Sequence, residues 1–211
     1  MENFAQKLHI APGVTAIIGS GGKTTLLYRL AEELSSLGSV IVATSTHIFR
    51  PKHLPFAERT GKVRGVLCVG TPCENGKITA PAQSFAELEK LADYVLVEAD
   101  GSKKLPLKAH AAHEPVIPSN TCQVICVVGA SGLDLPVCEV VHRPEVFTSI
   151  TGSEIATPQA VAEVLKQEGF CTRVLINQAE TNGKAAQALA NALDCPTTLA
   201  SLEKGEIICS F

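Results

Sequence analysis

Glycine, lysine and threonine fall at phosphate-binding spacing in Gly19-Ser20-Gly21-Gly22-Lys23-Thr24-Thr25. The glycines allow backbone dihedrals closed to other residues, so successive N–H groups can turn toward one anion. A helix starting at the lysine would add its free N–H groups and the positive end of its dipole. Lys23 would place a mobile charge on the β- and γ-phosphates, and the Thr24 hydroxyl would hold Mg²⁺. The stretch therefore predicts a site for a nucleoside triphosphate, ATP or GTP, with Ser20 and Thr25 completing the loop.

A full Walker A pattern would need glycine at position 17, which is Ile17. The loop is the shorter Gly19-x-x-Gly22-Lys23-Thr24, a form that resembles the phosphate loop of the Mur ligases. A second set of chemical groups closes the apolar run Tyr94-Val95-Leu96-Val97 as Glu98-Ala99-Asp100. Mg²⁺ takes oxygen ligands and keeps several waters, so carboxylates at a strand end suit it. Glu98 and Asp100 are two apart and share one face of an extended chain. One is assigned to the metal and one to polarising an attacking water or substrate group, in either order.

A third set ends the run Arg173–Ile176 as Asn177-Gln178-Ala179-Glu180. GTPases carry Asn-Lys-x-Asp at this place to read guanine. Here Asn177 would bond the purine edge and Glu180 would accept from the base, while Gln178 replaces the lysine. This tilts toward GTP, whereas the Mur-like loop tilts toward ATP. Three further stretches are substrate candidates: Thr44-Ser45-Thr46-His47, the segment 101–118 with Lys108 and His113, and His142-Arg143. Each has a plain structural reading beside the functional one, as a strand cap, a solvated loop or a salt-bridged helix start. His110-x-x-His113-Glu114 matches a metal motif in spacing only.

These groups need a scaffold that delivers strand ends to one place. The run near 13–18 predicts the first strand, and Leu26, Leu27, Leu30, Leu34 and Leu37 recur at helical spacing up to Gly38. Residues 39–43, 65–70, 94–97, 123–129 and 173–177 read as buried strands. Ser84-x-x-Glu87 is a capping box opening a helix that ends near Ala92. Thr157-Pro158 opens another, which Gly169 ends, and a last helix spans roughly 183–193. Segments 195–199 and 206–209 read as short edge strands, residues 1–12 as a lead-in, and Glu74-Asn75-Gly76-Lys77 as a hairpin turn. Strands alternating with helices predict an α/β fold: a P-loop NTPase-like three-layer sandwich with a mostly parallel central sheet, formed as one domain over residues 1–211.

Composition sets the limits. The 211 residues carry a net charge of −3, which gives no basic footprint for nucleic acid. No signal segment and no run of 18 apolar residues is present, so a cytoplasmic protein with no membrane partner is expected. The eight cysteines form no Cys-x-x-Cys and read as reduced thiols, with Cys73 the most exposed.

Taken together, Gly-Ser-Gly-Gly-Lys-Thr-Thr, Val-Glu-Ala-Asp-Gly-Ser, Pro-Leu-Lys-x-x-x-x-His-Glu-Pro-Val-Ile-Pro, His-Arg-Pro-Glu and Leu-Ile-Asn-Gln-Ala-Glu resemble the YqeC family over nearly the whole chain. The Pro106–Pro118 stretch is the most specific part. The resemblance implies an accessory role in maturing the selenium-containing cofactor of molybdenum hydroxylases, with a molybdenum-cofactor intermediate or the selenium-dependent hydroxylase as partner. Glu180, where an aspartate is commoner, and Ser45 depart from the family pattern. Two functions follow as expectations: a Mg-dependent NTPase or phosphotransferase, or a nucleotide-gated carrier of the cofactor with little turnover.

Overall fold

Five consecutive buried residues at Val40–Thr44, and again at Tyr94–Glu98, mark strands enclosed on both faces, as in parallel sheets covered by helices. The computed structural model describes residues 3–211. Its main sheet has nine strands: β1 (Gly13–Gly19), β2 (Val40–Thr44), β3 (Phe56–Ala57), β4 (Val66–Val69), β5 (Tyr94–Glu98), β6 (Thr121–Gly129), β7 (Arg173–Asn177), β8 (Thr197–Ser201) and β9 (Glu206–Ser210). Their order is β9-β8-β7-β6-β1-β5-β2-β4-β3. Pairs β1–β5, β5–β2, β2–β4, β4–β3, β6–β7 and β7–β8 are parallel, and β8–β9 is antiparallel. The helices are α1 (Phe4–Lys7), α2 (Lys23–Leu34), α3 (Phe85–Glu89), α4 (Val137–Val140), α5 (Pro144–Thr151), α6 (Pro158–Glu168) and α7 (Gly183–Ala192). This is the expected mostly parallel α/β architecture.

The residues gather into two compact units. One holds the chain up to residue 17 with 26–101 and 116–123, and the other holds 18–25, 102–115 and 124–211. In the first, β5 lies between β1 and β2, and Glu98 is level with both Ile17 and Thr44. Val14, Ile41, Leu88, Val95 and Val97 pack together as its core. The capping box forms as expected, with Ser84 and Glu87 each bonding the other's backbone N–H, and α3 stops at Glu89. Four expectations need correction. The lead-in contains the one-turn helix α1, capped by Asn3, with Phe4 and Leu8 buried. Leu37 lies beyond α2 and is 65% exposed. Gly38 serves close packing rather than a left-handed stop, because a Cβ there would lie 2.8 Å from an Asp93 carboxylate oxygen. Cys73 is half-buried, while Cys122 and Cys138 are the exposed thiols.

In the second unit, β6 and β7 run level from Ile125↔Arg173 to Gly129↔Asn177. Thr157 caps α6 by accepting from the Ala160 N–H, and Gly169 ends that helix at φ 65°. Asn182 caps α7 in the same way. Segment 197–201 proves to be an interior strand, fully buried and paired on both sides, and only β9 forms the edge. Its sequence, Thr-Thr-Leu-Ala-Ser, mixes polar and apolar residues and fits either position, so the sequence could not separate them. No helix among the described residues is long and apolar enough to cross a membrane.

Candidate functional site

The glycine-rich loop residues 18–25 and the segment 102–115 belong to the same unit. Gly21 (φ 85°) packs so tightly that a Cβ would lie 2.5 Å from the Gly129 Cα and 2.9 Å from the Pro106 carbonyl oxygen. Gly22 (φ 134°) would place a Cβ 2.5 Å from Asn177 Nδ2. Backbone conformation and close approach both require glycine at these two positions. The Ser20 hydroxyl donates to the Leu105 carbonyl, and the Ser20 N–H donates to the Val127 carbonyl at 2.8 Å. The Gly129 N–H donates to the Pro106 carbonyl at 2.9 Å. The long segment is therefore held against the loop.

Lys23 is 4% exposed. Its ammonium donates to the Gly19 carbonyl at 2.7 Å and to the Ser102 hydroxyl at 3.1 Å. The charge is anchored between its own loop and Ser102. Thr24 and Thr25 are exposed. Behind Gly19 lies a cavity of about 10 Å³, lined among others by Leu107, Lys108, Phe147 and Leu165. That is room for one water at most, so it is no substrate site.

Asn177 ends β7 with both amide atoms engaged. Its Nδ2 donates to the Gly21 carbonyl at 2.7 Å, and its Oδ1 accepts the Leu202 N–H at 2.8 Å. The structure thus gives Asn177 a positioning role that the sequence did not suggest. Glu180 is exposed and accepts from the Ser201 hydroxyl at 2.6 Å. That bond holds its carboxyl below the usual range, so it stays ionised.

A charged cluster forms where Leu107–Lys108 pairs in parallel with Val141–His142. Glu114 receives Lys108 Nζ at 3.1 Å and Arg143 Nε at 3.3 Å. The Lys108 side chain is wholly buried, so the cations this segment turns to solvent are Lys103 and Lys104. Burial would raise the Glu114 carboxyl, but the bonds from Arg143 and Lys108 prevail and hold it below 4.5. Burial, together with Lys108 and Arg143, pushes His142 below 6.5 and keeps it neutral at neutral pH. Arg143 sits in the left-handed region at φ 75° as it leads into α5, and its NH2 lies 3.4 Å from the exposed His113 ring. Left-handed backbone costs a non-glycine residue roughly 1–2 kcal/mol. His110 has a different partner: its backbone N–H and Nδ1 both meet the Glu168 carboxylate, at 2.6 and 2.7 Å. His110 and His113 therefore serve separate partners. Among the described residues, no three His, Cys, Asp or Glu side chains group as a metal site.

In the first unit, the Thr44 hydroxyl donates to the Glu98 carbonyl at 2.8 Å, and the Thr46 N–H donates back to the Thr44 hydroxyl at 3.0 Å. Ser45 ties the Val116 carbonyl at 2.6 Å, while His47 is exposed. Glu98 and Asp100 are both buried. Hard oxygen donors at a strand end are the set that Mg²⁺ prefers. Tyr28 also faces this end: burial, with Cys68 and Glu98 adding to it, pushes its hydroxyl up to about 12. Its ring meets His53 edge-on, with centroids 4.6 Å apart. Tyr28, Ser102 and Glu168 were missed because each finds its partner far along the chain, which no local spacing signals.

The family model for the YqeC protein matches residues 15–145. This span includes the glycine-rich loop, Glu98, Asp100 and the segment 101–118. An Escherichia coli (strain K12) protein, "Uncharacterized protein YqeC", is 37% identical over 171 residues, covering 72% of this chain. The match spans 65% of that relative's length, just under two thirds. With more than half of its residues matched by the family model, the chain belongs to the YqeC family.

Proposed function

We propose that the protein binds a Mg-nucleoside triphosphate at Gly19–Thr25 and acts as an NTPase or phosphotransferase. Its cellular role in this reading is accessory, in maturing the selenium-containing molybdenum cofactor of molybdenum hydroxylases. The observation that carries the reading is the loop itself. Left-handed glycines join β1 to α2, and Lys23 is buried and anchored at the first helical position. Phosphoryl transfer is catalysed chiefly by positioning and by stabilising charge on the transferring group. Lys23 would supply that charge, Thr24 and one of Glu98 and Asp100 would hold Mg²⁺, and the other carboxylate would orient the attacking group. The metal, when bound, would neutralise phosphate charge.

A second reading is a nucleotide-gated carrier of the cofactor. It is favoured by the bonds that tie the phosphate loop to segment 102–115 through Ser20–Leu105 and Lys23–Ser102. A change at the nucleotide would reach the neighbouring segment directly, with Lys103 and Lys104 on it for an anionic cargo.

The test is thermal unfolding of wild type and Lys23→Ala with Mg-ATP or Mg-GTP. Ligand at a hundred times its dissociation constant stabilises by about 2.7 kcal/mol, a shift of roughly 5–10 °C for a chain of this size. The expected result is a shift with one nucleotide that the variant loses, together with loss of turnover. No shift with either nucleotide for folded wild type, or equal turnover in Lys23→Ala, overturns the reading.

A further inference from the structure

We propose that the nucleotide is a guanine nucleotide, its base read by the Glu180 carboxylate with Ser201 and Asn177 as positioning residues. This rests on the nucleotide site proposed above and names its base. Residues 18–25 and the ends of β7 and β8 all lie in one unit. Asn177 joins them, since its Nδ2 donates to the Gly21 carbonyl at 2.7 Å and its Oδ1 accepts the Leu202 N–H at 2.8 Å. The fit is close: a Cβ on Gly22 would lie 2.5 Å from Asn177 Nδ2 and 3.2 Å from Leu202 Cδ1. A ligand with its phosphates on the loop therefore has the ends of β7 and β8 within reach.

Those strand ends carry a fixed carboxylate. Gln178 leaves β7 in the left-handed region at φ 59°, and the Ser131 hydroxyl donates to its Oε1 at 2.7 Å. The Ala179 N–H then donates to the Ala200 carbonyl at 3.1 Å, which brings the next residue of each segment, Glu180 and Ser201, side by side. Ser201 is 1% exposed, and its hydroxyl donates to Glu180 Oε1 at 2.6 Å. Glu180 itself is exposed. A buried hydroxyl thus fixes one oxygen of a carboxylate that solvent and ligand can reach. The Ser201 bond, aided by the Lys204 charge, keeps that carboxylate ionised.

An ionised carboxylate only accepts hydrogen bonds, and each of its oxygens has two lone pairs, so the bond from Ser201 leaves room for a ligand on both oxygens. It selects a base edge that presents two adjacent donors. Guanine has such an edge, with N1–H beside the N2 amino group, and can make a charge-assisted pair of bonds. Adenine presents a bare N1 and C2–H there, so a lone pair would face the carboxylate and no bond would form. Cytosine offers a bare N3, and the N3–H of uracil is flanked by two carbonyls.

The experiment takes dissociation constants for Mg-GTP, Mg-ITP, Mg-XTP and Mg-ATP from thermal unfolding of the full chain over a concentration series. The four share ribose and phosphates, so differences among them report on the base. Mg-GTP should bind about tenfold or more tighter than Mg-ATP, as a bidentate pair supports. Inosine lacks the N2 amino group, so Mg-ITP should fall between them. In Glu180→Gln the side chain presents one acceptor and one donor, which match N1–H and the O2 carbonyl of xanthine. That variant should lose its preference for Mg-GTP and bind Mg-XTP about tenfold tighter than wild type does, a gain that damage to the fold would not produce. Wild type binding Mg-ATP or Mg-ITP as tightly as Mg-GTP overturns the inference and leaves the nucleotide site standing, whether or not the variant folds. An unchanged order of affinities in folded Glu180→Gln does the same. No binding of any of the four overturns the site and the inference together.

Discussion

Asn177 is a residue whose type is plain in the sequence and whose job is not. A polar amide after a buried apolar strand invites a ligand-binding reading. In the fold, both of its amide atoms hold backbone groups, Gly21 on one side and Leu202 on the other. Asn177→Ala removes two buried bonds and leaves a carbonyl and an N–H to be satisfied otherwise. At about 1–1.5 kcal/mol each, the expected cost is roughly 2–3 kcal/mol, a fall in Tm of roughly 4–10 °C. The Gly22 contact with Asn177 also relaxes, so nucleotide affinity should fall with stability. Calorimetry with and without nucleotide checks both. If affinity falls while Tm holds, the asparagine touches the ligand directly. Lys23 is the opposite case, since the glycines before it and the helix after it are local features that mark it as a candidate in the sequence itself.

Elements were legible where the signal is local. The capping box at Ser84 and the Thr157-Pro158 start of α6 lie within a few residues of what they bond, and both appear where the sequence places them. Thr157→Ala should cost about 1 kcal/mol, as loss of an N-cap does, and a melting curve suffices to measure it. Pairings between distant elements left no local trace. The Lys108–Glu114–Arg143 cluster depends on Leu107–Lys108 lying beside Val141–His142, some thirty residues on. It also makes an acid-sensitive joint, and the sign is set by two depressed values. His142 lies below 6.5, so the unfolded chain binds a proton first and its contribution to stability is lost as pH falls through 6.5 toward the folded value. Glu114 lies below 4.5, so its contribution is complete above that pH and is lost as pH falls through the lowered value. Denaturant titrations from pH 8 to pH 3 should show two successive losses of stability. Glu114→Gln should shrink the lower one, to which Glu180 also contributes, and leave the upper. An unchanged acid limb in that variant would show that Glu114 does not carry it.

At the scale of the whole molecule, alternating apolar runs and helical spacings sufficed for the α/β class. Strand order could not be read, because nothing local in β5 announces that it lies between β1 and β2. Charge is the whole-molecule property that bears most directly on function. A net charge of −3 gives a nucleotide no long-range attraction. On the proposed function, binding would therefore come from the anchored lysine and the loop backbone over a few ångströms, well inside the Debye length of ~8–10 Å at physiological salt. Two outcomes follow from the same cause. The dissociation constant for Mg-nucleotide should change less than about threefold between 50 and 300 mM salt, since short, partly buried contacts are weakly screened. A 20-base-pair duplex should show no anisotropy change at micromolar protein in 150 mM salt, because a net charge of −3 gives polyanionic DNA no overall attraction. A steep salt dependence for the nucleotide would place the binding charge outside the loop, on exposed cations such as Lys103 and Lys104, and would move the search for the ligand to that face.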